Sequence, residues 1–183
     1  MLAELKEKGY FYVEDFFTKE ELAILQPYCL DKSFNPTEES LKDPQSPGSP
    51  SYGKDIIMNA LLKSKKEKIE KISNLKLFHT YSYWRGYNFG SILETHQDRP
   101  SCEISVTAAI DSCGIDWPIH MGENWISIKP GDAVMYLGCD IPHGRKPFEG
   151  RYCAQVFLHY VNADGPYAVH RYDQVLEKLG VKR

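Results

Sequence analysis

Two histidines and an aspartate hold the greatest chemical potential in this 183-residue chain: His96 and Asp98 in Thr95-His96-Gln97-Asp98, and His143 in Pro142-His143-Gly144. Two imidazole nitrogens and one carboxylate oxygen can occupy a single face of an octahedral first-row cation such as Fe(II), leaving the opposite positions for a chelating co-substrate and O₂. His-x-Asp is common by chance. It gains weight here from the distant histidine and from Arg151 soon after it.

In an extended strand, residues two apart share a face, so His96 and Asp98 can aim into one interior. The third ligand must come from a remote strand brought alongside, and His143 follows a β-type segment in a turn-rich stretch. The other histidines have plainer readings. His79 is a core or surface residue, His159 and His170 fall late where structural hydrogen bonds are expected, and His120 in Trp117-Pro118-Ile119-His120 is a secondary candidate for substrate or metal contact.

Several elements must position these groups. Residues 10–17, YFYVEDFF, read as a strand, and Thr18-Lys19-Glu20-Glu21 is a capping box that opens a helix over about 19–29. Residues 31–54, with four prolines and many Ser, Asp, Glu and Gly, read as a loop or lid. Residues 55–73 read as a second helix, apolar at Ile57, Leu61 and Leu62, with the lysines of KSKKEK on a solvated face. Short β-type segments then follow at 75–84, 104–110, 125–128, 133–137 and 151–161, separated by turns such as Lys129-Pro130-Gly131-Asp132. Helices first and strands after predict a mainly β protein with N-terminal helices and a double-sheet jelly-roll core. The chain is expected to be one domain: strand, helices and lid over 1–74, jelly roll over 75–165, and a C-terminal segment over 166–183.

Net charge of -3 and the lack of any basic run interleaved with aromatics argue against a nucleic-acid partner. Five cysteines without a C-x-x-C pair suggest neither a disulfide framework nor a structural zinc site. No stretch approaches the ~20 apolar residues of a membrane span, and the N-terminus lacks a signal-peptide pattern, so a cytoplasmic protein is expected. Oligomeric state is open.

The run from Tyr87 through Glu94-Thr95-His96-Gln97-Asp98, together with Lys129-Pro130-Gly131-Asp132-Ala133, Pro142-His143 and Gly150-Arg151-Tyr152, resembles the Fe(II)/2-oxoglutarate-dependent dioxygenase superfamily, prolyl-hydroxylase-like members in particular. Residues 9–18 and the helix after them resemble the opening strand and helix of many members. The resemblance implies a double-stranded β-helix of the cupin-like kind, with iron held by His96, Asp98 and His143. It implies 2-oxoglutarate as co-substrate beside O₂, its distal carboxylate paired with Arg151. Arg145 is the competing anchor, placed second because two residues past His143 it should still lie in the turn. Tyr87 matches a tyrosine near the co-substrate. Ser105 and Thr107 stand near the place of another tyrosine and offer hydroxyls instead, while Trp117-Pro118-Ile119-His120 replaces a Gly-Gly pair. Trp84, Arg99, Trp117 and Arg145 are the substrate-side candidates. The implied activity is hydroxylation of an unactivated C–H bond in a small-molecule or peptidyl substrate, with release of succinate and CO₂. Two alternatives stand beside it: a cupin-like metal enzyme that does not use 2-oxoglutarate, and a non-catalytic jelly-roll binding domain.

Overall fold

A computed structural model describes residues 2–173; the last ten residues of the expected C-terminal segment lie outside the described residues. Among the described residues four α-helices, α1 (Leu2–Lys8), α2 (Lys19–Phe34), α3 (Ile56–Ser64) and α4 (Lys66–Ser73), accompany ten strands. The strands are β1 (Tyr10–Val13), β2 (Ser51–Gly53), β3 (Leu77–Tyr87), β4 (Leu93–His96), β5 (Ile104–Asp111), β6 (Ile119–Met121), β7 (Asn124–Ile126), β8 (Ala133–Leu137), β9 (His143–Arg145) and β10 (Cys153–Asn162). A six-stranded sheet runs β1-β8-β5-β10-β3-β2 and a four-stranded sheet runs β4-β9-β6-β7. Every pairing is antiparallel, so the fold is mainly β, a double-sheet jelly roll.

The larger sheet is covered on both faces, which explains why β5 and β10 are buried almost end to end instead of alternating with solvent. Its outer face packs against the helices through Leu25, Met58, Leu62, Val106, Val156 and Trp84. The inner face meets the smaller sheet, and the space between them holds the polar groups described below.

Local chemistry accounts for most element boundaries. Thr18 and Glu21 form the reciprocal capping box that starts α2, which runs on past residue 29 to Phe34. The expected strand over 10–17 stops at Val13, because Asp15 adopts a φ of 48° and its N–H is held by the Asp132 carboxylate at 2.9 Å. The expected helix over 55–73 is two helices. Asp55 caps α3, accepting from the N–H groups of Ile57 and Met58, and the break falls at Lys65. Lys65 is also an exception to the solvated lysine face: it is buried, pairs with Glu21 at 2.6 Å and lies over the Phe16 and Phe17 rings.

Residues 31–54 are less irregular than expected. They include the end of α2, a 3₁₀ turn at Glu39–Leu41 and the edge strand β2, which pairs with β3. Among the described residues no helix is long and apolar enough to cross a membrane.

Candidate metal centre

Strands β4 and β9 lie side by side with His96 opposite His143, so the two imidazoles start from adjoining positions and their ring centroids stand 4.4 Å apart. Asp98 lies two residues beyond the end of β4, where its backbone N–H donates to the Gly138 carbonyl at 2.8 Å and turns the side chain inward. Its Oδ1 is 3.7 Å from the Nε2 of each histidine, and the three donor atoms all fall within 4.8 Å of one another. These gaps are too long for hydrogen bonds. They suit donors that converge on one cation at about 2.1 Å each.

Both rings are already oriented. His96 Nδ1–H donates to the Glu94 carbonyl at 2.8 Å and His143 Nδ1–H to the Ile141 carbonyl at 3.0 Å, each two residues upstream. These bonds require the tautomer that leaves Nε2 as a lone pair aimed at Asp98. Electrostatics support an anionic carboxylate. Burial pushes the Asp98 pKa up, but its contact with His96 and the nearby His159 and His143 outweigh that and hold it below the usual carboxylate range. The same contact raises His96, whereas burial lowers His143.

The triad opens into a cavity of about 470 Å³. Leu93, Ile119, Tyr136 and Phe157 supply its apolar wall, while Asp43 and Arg85, the latter lying over the Phe157 ring, bring charge. The segment 43–54 is therefore part of the wall. It is pinned by Arg85, whose Nε donates to Asp43 Oδ2 at 2.5 Å and whose Nη2 donates to Gln45 at 2.7 Å.

Arg151 does not reach this space. It is exposed, two residues before β10 begins, and is not among the cavity-lining residues. Arg145 does not line the cavity either, but it ends β9 instead of lying in a turn, on the same face as His143 and opposite Leu93 of β4, which does line it, and is 3% exposed. One guanidinium nitrogen donates to the Trp117 carbonyl; Nε and Nη2 have no partner, and no carboxylate among the described residues pairs with it. The Tyr87 hydroxyl, Thr107 Oγ1 and Gln155 Oε1 are likewise buried and unpaired. Tyr87 and Cys153 face each other across β3 and β10, and both lie close enough to act on the Arg145 charge. Ser33 Oγ and the Tyr152 hydroxyl, also without partners, lie together by Gly86 on the helix side, whereas Tyr87 and Cys153 stand near Arg145 where β9 finishes and β10 starts.

The other sequence candidates divide. Arg99 lines the cavity, pairs with Asp173 at 2.8 Å and lies over the Tyr81 ring. Trp84 does not line it: it stacks on Tyr52 in the helix-side core and donates to Asp55 at 3.3 Å. Trp117 packs edge-on to Tyr87, donates to the Lys146 carbonyl at 2.7 Å and covers Arg145, so it lies beside the Arg145 group and not in the metal cavity. His79 is exposed, and His120 hydrogen-bonds Thr95 at 2.8 Å beside Trp125. Ser105 is buried, but its hydroxyl is taken up by Asp98 Oδ2 at 3.0 Å and His159 Nδ1 at 2.8 Å. His159 makes the structural hydrogen bond expected of it, to Ser105 opposite it on β5, whereas Asp43 and Arg85 line the cavity without having been singled out in the sequence. Asp98, Cys102 and His159 also form a cluster of metal-type donors, yet the Ser105 hydroxyl already bridges two of them.

No protein-family model matches the sequence, and no curated protein matches it. Solved structures do. A prolyl-4-hydroxylase from Pseudomonas putida aligns with a TM-score of 0.63 at 15% identity, over 86% of this chain and 96% of that one. The non-heme alpha-ketoglutarate-dependent epimerase SnoN from nogalamycin biosynthesis aligns at 0.73 and 10%, over 88% and 81%. HygX from Streptomyces hygroscopicus, solved with nickel, 2-oxoglutarate and hygromycin B bound, aligns at 0.69 and 12%, over 89% and 86%. At these identities the likeness is one of architecture, and the chain has the jelly-roll fold on which these proteins are built.

Proposed function

We propose that this chain is an Fe(II)- and 2-oxoglutarate-dependent oxygenase that hydroxylates an unactivated C–H bond of a small molecule or of a peptidyl side chain. The observation that carries this reading is the socket of His96, Asp98 and His143, with both Nδ1 atoms tied to backbone carbonyls and both Nε2 atoms turned on one carboxylate oxygen. Two imidazoles and one carboxylate are the donor set of a ferrous centre that keeps positions open.

The remaining residues fit the co-substrate. A buried guanidinium with two unpaired nitrogens is costly unless an anion completes it. Arg145, with the unpaired Tyr87, Thr107 and Gln155 groups, suits the far carboxylate of a short dicarboxylate whose near end meets the metal. Arg145 therefore takes the anchoring role that the sequence suggested for Arg151. Bound Fe(II) with 2-oxoglutarate and O₂ supplies an oxidant able to attack unactivated C–H bonds, with succinate and CO₂ as co-products. The protein's part is to hold and exclude. His96, Asp98 and His143 fix the ion, and Leu93, Ile119, Tyr136 and Phe157 keep water from the reacting face. Arg99 and the wall from residue 43 to 54 meet the substrate. Five cysteines, all free, support a reducing compartment such as the cytoplasm.

The test is to load metal-free protein with Fe(II) under nitrogen, measure bound iron, and follow succinate formed from 2-oxoglutarate on admitting air. Wild type should hold about one iron per chain, be stabilised thermally by 2-oxoglutarate and release succinate, and His143→Ala should lose all three. Iron bound without stabilisation by 2-oxoglutarate and without succinate would favour a cupin-like enzyme of another chemistry. Iron retained by His143→Ala would overturn the centre itself.

A further inference from the structure

We propose that Ser105 and His159 are positioning residues for Asp98, which lock its carboxylate so that one oxygen alone faces the metal; this rests on the reading of His96, Asp98 and His143 as the metal site. Asp98 has two oxygens in different surroundings. Oδ1 stands 3.7 Å from the Nε2 of both histidines, whereas Oδ2 is held by the Ser105 hydroxyl at 3.0 Å. Behind Ser105, at 2.8 Å, lies Nδ1 of His159, a buried ring packed 4.5 Å from that of Tyr81.

Proton bookkeeping gives the chain a direction. A hydroxyl has one proton to donate, and three acceptors lie within reach of Ser105 Oγ, namely Asp98 Oδ2, the Cys102 carbonyl at 3.0 Å and His159 Nδ1, with Tyr136 beside it on β8. If the Ser105 proton went to His159, Asp98 Oδ2 would face a lone pair of the Ser105 oxygen at 3.0 Å. A carboxylate is also a stronger acceptor than a carbonyl. His159 Nδ1–H therefore donates to Ser105, and Ser105 donates to Asp98.

The backbone closes the same side. A Cβ at Gly138 would collide with the Cys102 carbonyl and come 2.5 Å from Asp98 Oδ2 and 2.9 Å from Ser105 Oγ, so only glycine lets the chain pass this close. The Gly138 carbonyl accepts from the Asp98 N–H at 2.8 Å. Asp98 is thus held at its backbone and at one carboxylate oxygen. Rotating the carboxylate to offer both oxygens would break the Ser105 bond and strand a buried hydroxyl. The device keeps a coordination position free that a two-oxygen aspartate would occupy, and this chemistry needs that position for the co-substrate or O₂.

Co(II) is the probe, since it tolerates air and its visible absorption reports coordination number. Metal-free wild type, Ser105→Ala, Ser105→Thr, His159→Phe and His159→Asn are titrated with Co(II), and the spectrum at saturation is compared with the thermal stability of each metal-free protein. Ser105→Ala and His159→Phe should bind Co(II) about 10–100-fold more weakly. At saturation their spectra should shift toward higher coordination. Ser105→Thr and His159→Asn, which keep a hydroxyl and an N–H donor at the same places, should restore affinity and spectrum. A merely structural role would lower stability without moving the saturated spectrum, and that result overturns the proposal. So does wild-type affinity and spectrum in Ser105→Ala. If Ser105→Ala does not fold, the His159 pair decides by the same criteria. Failure of wild type to bind Co(II), or unchanged binding in His143→Ala, would instead sink the metal site.

Discussion

Two arginines are buried in the jelly roll and meet opposite surroundings. Arg85 on β3 is paired: its Nε and Nη2 reach Asp43 and Gln45, and its guanidinium lies over the Tyr83 and Phe157 rings. Asp43 accepts in turn from Ser51, Tyr83 and the Gln45 N–H. Arg145 on β9 makes one hydrogen bond to a carbonyl and leaves two nitrogens bare near Tyr87, whose buried hydroxyl also lacks a partner. A protein interior seldom tolerates such a set without a use for it. The ion-paired arginine clamps a wall of the cavity, whereas the one without a carboxylate fits an incoming anion.

Breaking the clamp should have the largest effect on folding. Arg85→Met leaves Asp43 buried without its cation; the two side chains are each 6% exposed in the pair. Removing one partner of such a pair costs about 3–5 kcal/mol, to be read by chemical denaturation. The cost should depend on pH with a definite sign. Burial pushes the Asp43 carboxyl up, but Arg85 together with the Gln45 N–H and the Ser51 hydroxyl more than offsets this and holds its pKa below the ordinary value. A carboxylate lowered on folding stabilises above its unfolded pKa and loses that contribution as pH falls through the folded value. The gap between wild type and Arg85→Met should be full at neutral pH and narrow in acid. A pH-independent gap would mean that packing against Tyr83 and Phe157, not charge, does the clamping.

Arg145→Met should behave in the opposite way. It removes a buried, uncompensated charge, so the metal-free protein should be as stable as wild type or more so. The loss should appear only with ligand. At 2-oxoglutarate near 100 times the wild-type dissociation constant, linked stabilisation is about 2.7 kcal/mol, and most of it should vanish in the variant. If Arg145→Met unfolds as readily as Arg85→Met and still responds to 2-oxoglutarate, the contrast between the two arginines fails.

The parts legible in the sequence were those with a local signature. The capping box at Thr18, the strand over residues 133–137 and the His-x-Asp pair each place their own side chains within a few residues. What escaped depends on pairing between distant strands. Strand β9 is three residues long, too short for a periodic signal, so the sequence alone places Arg145 in a turn and favours Arg151 as the anchor. His159 acquires its role only because β10 brings it opposite Ser105, and Asp43 only because β2 carries its loop onto β3. Trp84 was misplaced for a related reason: on a strand covered on both faces, apolar content does not say which side is the cavity.

The smallest effect should come from the arginine that the sequence favoured. Arg151 is exposed at the approach to β10, one residue before the buried Tyr152. Surface substitutions away from caps and buried networks shift stability by no more than about 0.5 kcal/mol, and Arg151→Ala should stay within that range. Its requirement for 2-oxoglutarate, measured as the concentration that gives half-maximal thermal stabilisation of the metal-loaded protein, should match wild type. Arg145→Met at the same metal loading should raise that concentration at least tenfold. The pair of measurements is sharper than either alone, because both arginines lie within ten residues of His143 and a general weakening of that stretch would move both. A raised requirement in Arg151→Ala alone would return the anchor to the strand after the distal histidine and require residues 146–152 to turn inward on loading, leaving the bare nitrogens of Arg145 in need of a different ligand.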